Sequence, residues 1–285
     1  MMSGCGLAAI VLTRNEELDL PACLQSLAGV VSEVFVIDSF STDRTVEISE
    51  RYGARVLAHP FVNQATQLNW ALAEIETSAP WILRIDADER LSEELRRELL
   101  ARLPRLNNEV AGLLVPRRIQ FMGRTIRHGD SYPVWLLRVW RSGLGRCEDT
   151  WMDEHMELSK GEVVKLDGDL IHEIPKTLSE WTRKHDGYAA RECKDIISEE
   201  AEDSPKGGPQ PGAKRKLNKR LYLRLPLFYR AFVYWFYRYF LRLGFLDGKE
   251  GLIYHFLQAF WYRFLVDAKL LELEKSSAAS HLRKV

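Results

Sequence analysis

The sequence predicts an α/β fold in which a mostly parallel sheet is covered by helices on both faces. Four short apolar runs have the character of buried strands, and helical patterns of ordinary length separate them, which gives a βαβαβαβ order with right-handed crossovers. Three of these strands run into polar loops, at Thr13, Asp38 and Asp86. Because the carboxyl ends of parallel strands meet at one edge, we expect the three loops to form one site. The apolar runs are residues 7–12, 34–37, 55–57 and a run that begins at residue 81.

Local signals place the helices between these strands. Asp19 and Pro21 open the first helix, whose apolar residues keep helical spacing up to Gly29. The second helix ends at Gly53, a residue suited to the left-handed turn that follows many helices. The third helix is predicted over residues 63–77 and has one apolar face. Each helix can therefore cover part of the sheet.

The pattern changes after a helix that begins at Ser92. Shorter strand-like runs follow at residues 110–115 and 134–139, separated by loops rich in Arg, His and Gly. We expect this half to extend the sheet and to form the other wall of the site. A capping box at residues 177–180 predicts the start of a long helix. Residues 203–216 are rich in Pro, Gly and Lys and are interpreted as a linker.

The C-terminal stretch is crowded with aromatic residues between positions 221 and 246. It contains no uncharged run of the ~20 residues that a membrane span needs. We interpret it as an amphipathic helical segment that lies at a membrane interface, with aromatics at the acyl boundary and arginines on headgroup phosphates. The alternative is a helical hairpin that packs on the catalytic domain. The arginines that fall within one arc of a helical wheel are Arg224, Arg230, Arg238 and Arg242.

Composition limits the classes of protein that the chain can represent. Lys and Arg number 40, as do Asp and Glu, so the formal net charge is zero and a general nucleic-acid binder is disfavoured. The four cysteines are scattered without metal spacing, which indicates a reducing compartment and no structural zinc. The apolar run at residues 7–12 lacks the flanks of a signal peptide and is predicted to be a strand.

The stretch from Trp81 to Glu89 has the most chemically informative pattern. Asp86 and Asp88 follow an apolar strand one residue apart, so both carboxylates can face one hard cation, Mg²⁺ or Mn²⁺, shared with the phosphates of a nucleotide. A D-x-D pair alone could equally cap the next helix, but its place after a strand favours the metal. Arg84 lies inside the apolar strand and needs an anionic partner, either a carboxylate or a donor phosphate.

Three loops together resemble the successive signatures of glycosyltransferase family 2, the inverting group with the GT-A fold. They are residues 13–17, 38–43 and 86–89, and by motif order the likeness covers roughly the first 160 residues. Three later stretches are similar to a narrower branch, the bacterial lipopolysaccharide-core glucosyltransferases that add a β-linked glucose to an inner-core heptose. These stretches are residues 127–129, 151–157 and 240–248.

The resemblance implies roles for residues at the nucleotide side. Thr13 and Glu17 line the nucleotide pocket, and Asp38 contacts the uracil or ribose. Gln67 reaches the same nucleotide from its helix, unless it is a solvent-facing helix residue. Asp86 holds the ribose or the metal. The resemblance makes Asp88 a direct metal ligand, and His172 closes the metal or diphosphate site, although a lone histidine is more often structural.

Inversion by a single displacement needs a general base for the acceptor hydroxyl. Family members commonly use the last acid of a short acidic motif, which indicates Glu154, with Asp153 behind it. The lipopolysaccharide branch has His-Glu where this chain has Asp153-Glu154, and the pair Glu148-Asp149 is the other candidate. Alternatively, these acids pair with Arg141 or Arg146 on the surface.

Four residues are predicted to meet an acceptor that bears phosphates and sugar hydroxyls. Arginine forks suit phosphate and an aromatic face suits a sugar ring, although Trp135 could equally belong to the core. The predicted acceptor residues are Arg127, His128, Trp135 and Arg138.

These observations predict an inverting glycosyltransferase that moves a hexose, most simply glucose, from a UDP-sugar to a lipid-linked saccharide. Its expected location is the cytoplasmic face of the membrane, as a peripheral protein with no nucleic-acid partner. The predicted domains are a catalytic domain over 1–202, divided at residue 103 into donor and acceptor halves, a linker over 203–216 and a membrane-associating region over 217–285.

Other functions stay open on the sequence. Within the same family, the acceptor could be a polyprenyl phosphate or another glycan, and a non-catalytic sugar-nucleotide binder would share the same motifs. A haloacid-dehalogenase-type phosphatase is disfavoured because the first strand ends in Thr13 rather than in a nucleophilic Asp. A Rossmann dehydrogenase is disfavoured because no G-x-G-x-x-G follows that strand.

Overall fold

The computed structural model of the protein describes residues 5–148, 155–174, 177–201 and 222–282. The chain forms two compact units. The first comprises Met1–Thr125 and Ser131–Pro175, and the second comprises Ile126–Asp130 and Lys176–Val285. The helix that begins at Leu178 therefore belongs to the second unit, whereas the boundary expected at residue 202 assigned it to the catalytic domain.

The first unit is built on a sheet of ten strands, which confirms the predicted α/β class. Apolar residues fill its central strands because both faces are buried, as parallel sheets require. The described strands are β1 (Leu7–Thr13), β2 (Glu33–Asp38), β3 (Arg55–Ala58), β4 (Trp81–Asp86), β5 (Glu89–Leu91), β6 (Val110–Phe121), β7 (Arg124–Ile126), β8 (Val134–Arg141), β9 (Gly145–Cys147), β10 (Met156–Leu158), β11 (Glu162–Lys165) and β12 (Leu170–Glu173).

The strand order is β3-β2-β1-β4-β8-β6-β12-β5, with β7 and β11 also paired to β6 and a separate ribbon of β9 and β10. The first four strands are parallel, as predicted. β8 runs antiparallel to both β4 and β6, so the second half of the sheet is mixed. The later strands therefore extend the sheet, as expected.

Strand register brings the three polar strand ends to one edge. Thr13 of β1 is opposite Asp38 of β2, and Leu12 is opposite Asp86 of β4. At the other end of the sheet, His172 of β12 is opposite Glu89 of β5. The prediction that the first, second and fourth strands end at a common edge is therefore confirmed.

Helices cover the two faces of β1. Its odd-numbered residues, such as Ala9, pack in one apolar cluster with the first helix, and its even-numbered residues, such as Ile10, pack in another with the third helix. The third helix ends at Glu74, three residues earlier than predicted, because Ile75 is already extended with ψ 127°. The helices of the first unit are α1 (Leu20–Leu27), α2 (Thr45–Arg51), α3 (Gln64–Glu74) and α4 (Glu93–Arg102), followed by a 3-10 turn (Leu103–Arg105).

The described part of the second unit is helical. The long helix begins where predicted, since Thr177 Oγ1 accepts from the Glu180 N–H at 3.2 Å as an N-cap and donates to the Glu180 carboxylate at 2.9 Å. The first and last of these helices pack through a small apolar core. The elements are α5 (Leu178–Ala201), α6 (Tyr229–Phe236), a π-helical turn (Tyr237–Leu241), a 3-10 turn (Gly244–Asp247), α7 (Gly248–His255), a second π-helical turn (Phe256–Trp261) and α8 (Tyr262–Leu282).

Two of the arginines expected on lipid phosphates are instead buried inside the second unit. Arg230 forms an ion pair with Asp267 at 2.6 Å, and both side chains are almost fully buried. Arg238 is also buried and donates to the carbonyl of Gly129 at 2.6 Å. The helical-wheel interpretation is therefore wrong for these two residues, because acceptors remote in sequence draw them inward. The predicted linker at 203–216 lies outside the described residues.

Large apolar side chains are exposed along the same segment. No helix among the described residues is long and apolar enough to cross a membrane. The exposed apolar surface of the second unit is defined here as Tyr229, Phe232, Val233, Phe236, Tyr237, Phe240, Leu241, Leu243, Phe245, Leu246, Leu252, Phe256 and Phe264.

A close contact fixes the position of β12. A Cβ on Gly168 would lie 2.3 Å from both the Cα and the N of Leu95 on α4. The N–H groups of Asp167 and Gly168 donate to Glu98 Oε2 at 2.9 Å each. The strand that contains His172 is thereby held against α4.

Gly168→Ala is expected to lower the free energy of unfolding by about 3 kcal/mol or more, the upper end for an overpacked site, because backbone atoms must move. The matched control is Gly123→Ala, where φ is +78° but no atom lies within 4 Å. Left-handed strain alone should cost the control about 1–2 kcal/mol. Urea unfolding followed by tryptophan fluorescence measures both variants, and equal losses would contradict the role assigned to the Leu95 contact.

Candidate active site

Asp38 organises the site at the end of β2. Its buried carboxylate accepts from Thr13 Oγ1 at 3.1 Å, from Ser41 Oγ at 2.5 Å and from the Ser41 N–H at 2.8 Å. Because a carboxylate can accept several hydrogen bonds, one side chain joins the ends of two neighbouring strands. Thr13 and Asp38 are thus brought together, as the sequence predicted for two polar strand ends.

The loops after β1 and β2 are connected by side chains. Asn15 donates its N–H to Ser41 Oγ at 2.8 Å. Glu17 donates its N–H to Asp43 at 3.1 Å, and its carboxylate accepts from the N–H and the Nε of Arg44 at 3.2 and 3.3 Å. Glu17 is therefore held at the same edge as Thr13 and Asp38.

Phe40 was not singled out in the sequence, although it has an unusual conformation in this loop. Its φ is 56° and its side chain is 63% exposed. A bulky residue at positive φ is strained, and such strain concentrates at functional sites. The aromatic residue in the pattern D-S-F-S-T-D is the only sequence signal of this feature.

Gln67 is buried, so the alternative of a solvent-facing helix residue is wrong. Its Nε2 donates to Ser39 Oγ at 3.0 Å and to the carbonyl of His59 at 3.3 Å, and its Oε1 lies 2.8 Å from His59 Nδ1. These bonds fasten α3 to the loops that follow β2 and β3. Its contact with a nucleotide stays a prediction.

Asp86 lies between two buried arginines. Arg138 Nη2 donates to Asp86 Oδ2 at 3.0 Å, and Arg84 Nε lies 3.6 Å from Asp86 Oδ1. Arg84 also donates to Gln64 Oε1 at 3.1 Å. The anionic partner that Arg84 required is therefore a carboxylate two residues further along its own strand.

Glu89 is a site residue to which the sequence assigned no role. Its carboxylate is only 1% exposed, accepts from Arg138 Nη2 at 2.8 Å and accepts from the Asp86 N–H at 3.1 Å. The position of Glu89 directly after the D-x-D indicates that it lies near the site. The sequence does not indicate that Arg138, 49 residues away, is its partner.

The electrostatics of this group follow from burial and charge. Burial opposes ionisation of Asp86, but Arg138 and Arg84 hold the pKa of its carboxyl well below the usual range. Burial raises the pKa of Glu89, and Arg138 opposes that shift. Burial disfavours the charge of Arg138, but Glu89 and Asp86 raise the pKa of its guanidinium. Asp86 and Arg138 therefore form a charged pair inside the protein.

Asp88 and His172 face each other beside this pair. His172 Nδ1 lies 3.6 Å from Asp88 Oδ1, too far for a hydrogen bond. His172 Nδ1 and Asp86 Oδ1 are buried and have no hydrogen-bond partner. Within the described ranges, no three acids, histidines or cysteines form a complete metal cage. A cation here would therefore need further ligands from a bound molecule, such as phosphate oxygens.

The predicted acceptor residues divide between the two units. In the first unit, Lys165 lies 4.6 Å above the ring of half-buried Trp135, and Arg138 is buried against Asp86 and Glu89. That position is on the donor side of the candidate site, so the open acceptor contact expected of Arg138 does not match its surroundings. Arg127 and His128 belong to the second unit.

Asp247 orders the segment that contains Arg127 and His128. Its buried carboxylate accepts the N–H groups of both residues at 3.1 and 2.8 Å, and its other oxygen lies 2.8 Å from His128 Nδ1. At the buried His255, burial and the nearby Arg238 lower the pKa of the imidazole to about 4. Asp247 lies in the stretch 240–248 that resembles the lipopolysaccharide branch, but the sequence alone indicates no role for it.

The two preferred candidates for the base, Asp153 and Glu154, lie outside the described residues, as does Asp149. Glu148 is described, and its N–H donates to the carbonyl of His155 at 2.8 Å. Arg141, one of the proposed surface partners for these acids, donates to the carbonyls of Val110 and Asn107 at 2.8 and 2.7 Å. The role of each acid stays a prediction.

Comparison with known proteins places the chain among glycosyltransferases. A family model described as Glycosyl transferase family 2 matches residues 8–156. An uncharacterized glycosyltransferase of Rickettsia felis is 27% identical over 277 residues, which span 93% of this chain and 89% of the relative. The lipopolysaccharide core biosynthesis glycosyltransferase LpsC of Rhizobium meliloti is 29% identical over 271 residues, with 89% and 90% covered.

Among solved structures, a mannosyltransferase from Pyrobaculum calidifontis in complex with GDP-mannose and Mn²⁺ is similar in fold. Its TM-score is 0.55 at 15% identity, with 93% of this chain and 86% of that chain covered. At that identity the likeness concerns the fold alone. It confirms the GT-A architecture with a C-terminal helical segment.

Proposed function

Since the chain belongs to glycosyl transferase family 2 and is a glycosyltransferase, we propose that it transfers a hexose, glucose, from a UDP-sugar to a lipid-linked saccharide with inversion at the anomeric carbon. The acceptor class that we propose is lipopolysaccharide inner core. The likeness to LpsC along most of both chains supports that choice, as do the stretches that resemble the lipopolysaccharide branch.

One juxtaposition carries the proposal. The pair Thr13 and Asp38, with Asp86 on the adjacent strand, lies at the carboxyl edge of the parallel strands, where α/β sheets bind their ligands. In the proposed complex, Thr13, Glu17 and Asp38 bind the uridine, and Gln67 supports the loop that contacts it. The buried arginines, Arg84 and Arg138, orient Asp86 toward the ribose or the metal.

The residues present fit a divalent cation. Asp86 Oδ1 and His172 Nδ1 are buried and make no hydrogen bond, and Asp88 Oδ1 lies beside that histidine. Carboxylate oxygens suit Mg²⁺ or Mn²⁺, and diphosphate oxygens would complete the shell. Asp88 is the proposed direct ligand, with Asp86 and His172 as its companions. An ion bound there supplies charge neutralisation for the diphosphate leaving group.

The transfer step needs one base and one leaving group. The acceptor oxygen forms a bond to the anomeric carbon while the bond from that carbon to the β-phosphate oxygen breaks and UDP leaves. Glu154 takes the proton of the attacking hydroxyl, and Asp153 is the second candidate. Arg127, His128 and Trp135 are proposed to bind the acceptor, and Asp247 presents the first two as an ordered pair.

Association with the cytoplasmic face of the membrane is proposed for the second unit. Its support is the exposed apolar surface defined above, which contains six exposed phenylalanines, Phe232, Phe236, Phe240, Phe245, Phe256 and Phe264. Exposed apolar side chains concentrated in one segment of a chain are typical of interaction surfaces. A lipid-linked acceptor makes the bilayer surface the place where such a site raises the encounter rate.

Donor binding is expected to require a divalent ion. Isothermal titration of UDP-glucose, UDP-galactose and UDP-N-acetylglucosamine, each with and without Mn²⁺, should show metal-dependent binding that is tightest for UDP-glucose. Asp88→Asn should weaken the binding by about 100-fold, since it removes a charged ligand. The exposed Asp167→Asn is the control and should bind as the wild type does. Metal-dependent binding of none of the three donors would refute the proposal.

Glu154→Gln should lower kcat by about 10²- to 10⁴-fold, the range for loss of a general base, while the affinity for UDP-glucose stays within about threefold. Single-turnover transfer from radiolabelled UDP-glucose to lipopolysaccharide core acceptors measures kcat, and titration measures affinity. Asp153→Asn and the exposed Glu157→Gln serve as comparison variants. A larger loss in Asp153→Asn than in Glu154→Gln would move the base to Asp153.

The double variant Phe236→Ser with Leu241→Ser should reduce binding to phospholipid vesicles by at least about tenfold, since each buried apolar side chain contributes about 1.5–3 kcal/mol. Vesicle sedimentation measures the bound fraction. Met122→Ser with Val163→Ser, which removes two exposed apolar residues of the first unit, is the matched control. Equal sedimentation of wild type and Phe236→Ser/Leu241→Ser would exclude this surface as the membrane contact.

A further inference from the structure

The buried carboxylate of Glu89 is the feature of the site that the proposed mechanism leaves unused. A carboxylate removed from water loses a large solvation energy and persists only when it is paired and hydrogen-bonded. Both of its oxygens are engaged, Oε1 by Arg138 Nη2 at 2.8 Å and Oε2 by the Asp86 N–H at 3.1 Å. It therefore contacts both the backbone and the ion-pair partner of Asp86.

Arg138 is shared between two carboxylates. The same nitrogen, Nη2, donates to Glu89 at 2.8 Å and to Asp86 at 3.0 Å. If Glu89 were neutral, the whole charge of Arg138 would act on Asp86, which Arg84 already faces at 3.6 Å. With Glu89 neutral, the two arginines would face only Asp86 and Asp88, so the net negative charge that favours the binding of a cation would be lost.

Glu89 also fixes the geometry of the turn that contains the D-x-D. Its bond to the Asp86 N–H closes the turn from one side. On the other side, β5 pairs with β12 so that Glu89 lies opposite His172, and the N–H of Glu173 donates to the Asp88 carbonyl at 3.1 Å. The distance between Asp88 and His172 therefore depends on the strand that Glu89 begins.

We infer that Glu89 is a positioning residue of the donor site, which holds Arg138 and balances its charge so that Asp86 and Asp88 keep a net negative face toward a divalent cation. The charges are two arginines against three acids, Asp86, Asp88 and Glu89, which leaves one negative charge where a metal would bind. The inference rests on the proposed function, because it assumes that a metal and a nucleotide diphosphate bind at this edge.

The test is Glu89→Gln, which keeps the shape of the side chain and removes its charge. Titration of Mn²⁺ into protein saturated with UDP should show an affinity about 10- to 100-fold weaker than that of the wild type, the usual effect of losing a residue behind the metal ligands. The matched control is Glu93→Gln, an exposed acid at the start of α4, which should bind Mn²⁺ as the wild type does. Circular dichroism and thermal unfolding establish that each variant is folded.

A second variant separates charge balance from general damage. Glu89→Gln combined with Arg138→Gln removes both members of the pair and should restore Mn²⁺ affinity to within about threefold of the wild type, since coupled residues behave non-additively. A purely structural role for Glu89 would give no rescue, and that result would overturn the inference. If Glu89→Gln does not fold, the double variant decides alone, and an affinity more than tenfold below the wild type refutes the charge balance.

The outcomes also separate this inference from the proposed function. Failure of the wild type to bind Mn²⁺ in the presence of UDP would refute the proposed donor site itself. Tight binding by the wild type together with equal binding by Glu89→Gln would refute only the role of Glu89.

Discussion

The parallel pairing of β1 with a strand on each side is the constraint on which the site depends. β1 is buried on both faces, and its register places Thr13 beside Asp38 and Leu12 beside Asp86. A slip of one residue would exchange the faces of every side chain in a strand, so the two apolar clusters specify the register strongly. The polar strand ends are therefore placed by the packing of apolar residues further back in the same strands.

Local patterns in the chain were sufficient to predict the first half of the fold. Buried parallel strands are short and continuously apolar, and each helix between them has its own start or stop signal, such as Asp19 or Gly53. The same rules failed for β5, because a strand of three residues has no periodicity to detect. That strand is nevertheless the one that brings Glu89 opposite His172, so an important part of the candidate site had no detectable local pattern.

The sequence shows which charged residues in apolar surroundings need partners, but it identifies only partners that are close in sequence. Arg84 was expected to meet either a carboxylate or a donor phosphate, and the structure places it 3.6 Å from the carboxylate of Asp86, two residues away. Arg138 was predicted to contact the acceptor because arginine forks suit phosphate. Its carboxylate partners lie 52 and 49 residues away in sequence and could not be identified from the sequence alone. Side-chain pairing across a sheet depends on strand order, and a single sequence does not contain the order of antiparallel strands added to a parallel sheet.

In the second unit, buried arginines are also paired with acceptors, and the exposed surface of the same helices is apolar. Arg230 and Arg238 are drawn inward by Asp267 and by the Gly129 carbonyl, since a buried cation needs a hydrogen-bonded partner. The helix surface they leave is apolar and exposed. Because these arginines are buried, the proposed membrane contact would depend on the burial of aromatic and leucine side chains more than on attraction to headgroup charge. Attraction of that kind is nearly independent of ionic strength, whereas attraction by arginines would be screened within a Debye length of about 10 Å at 0.1 M salt.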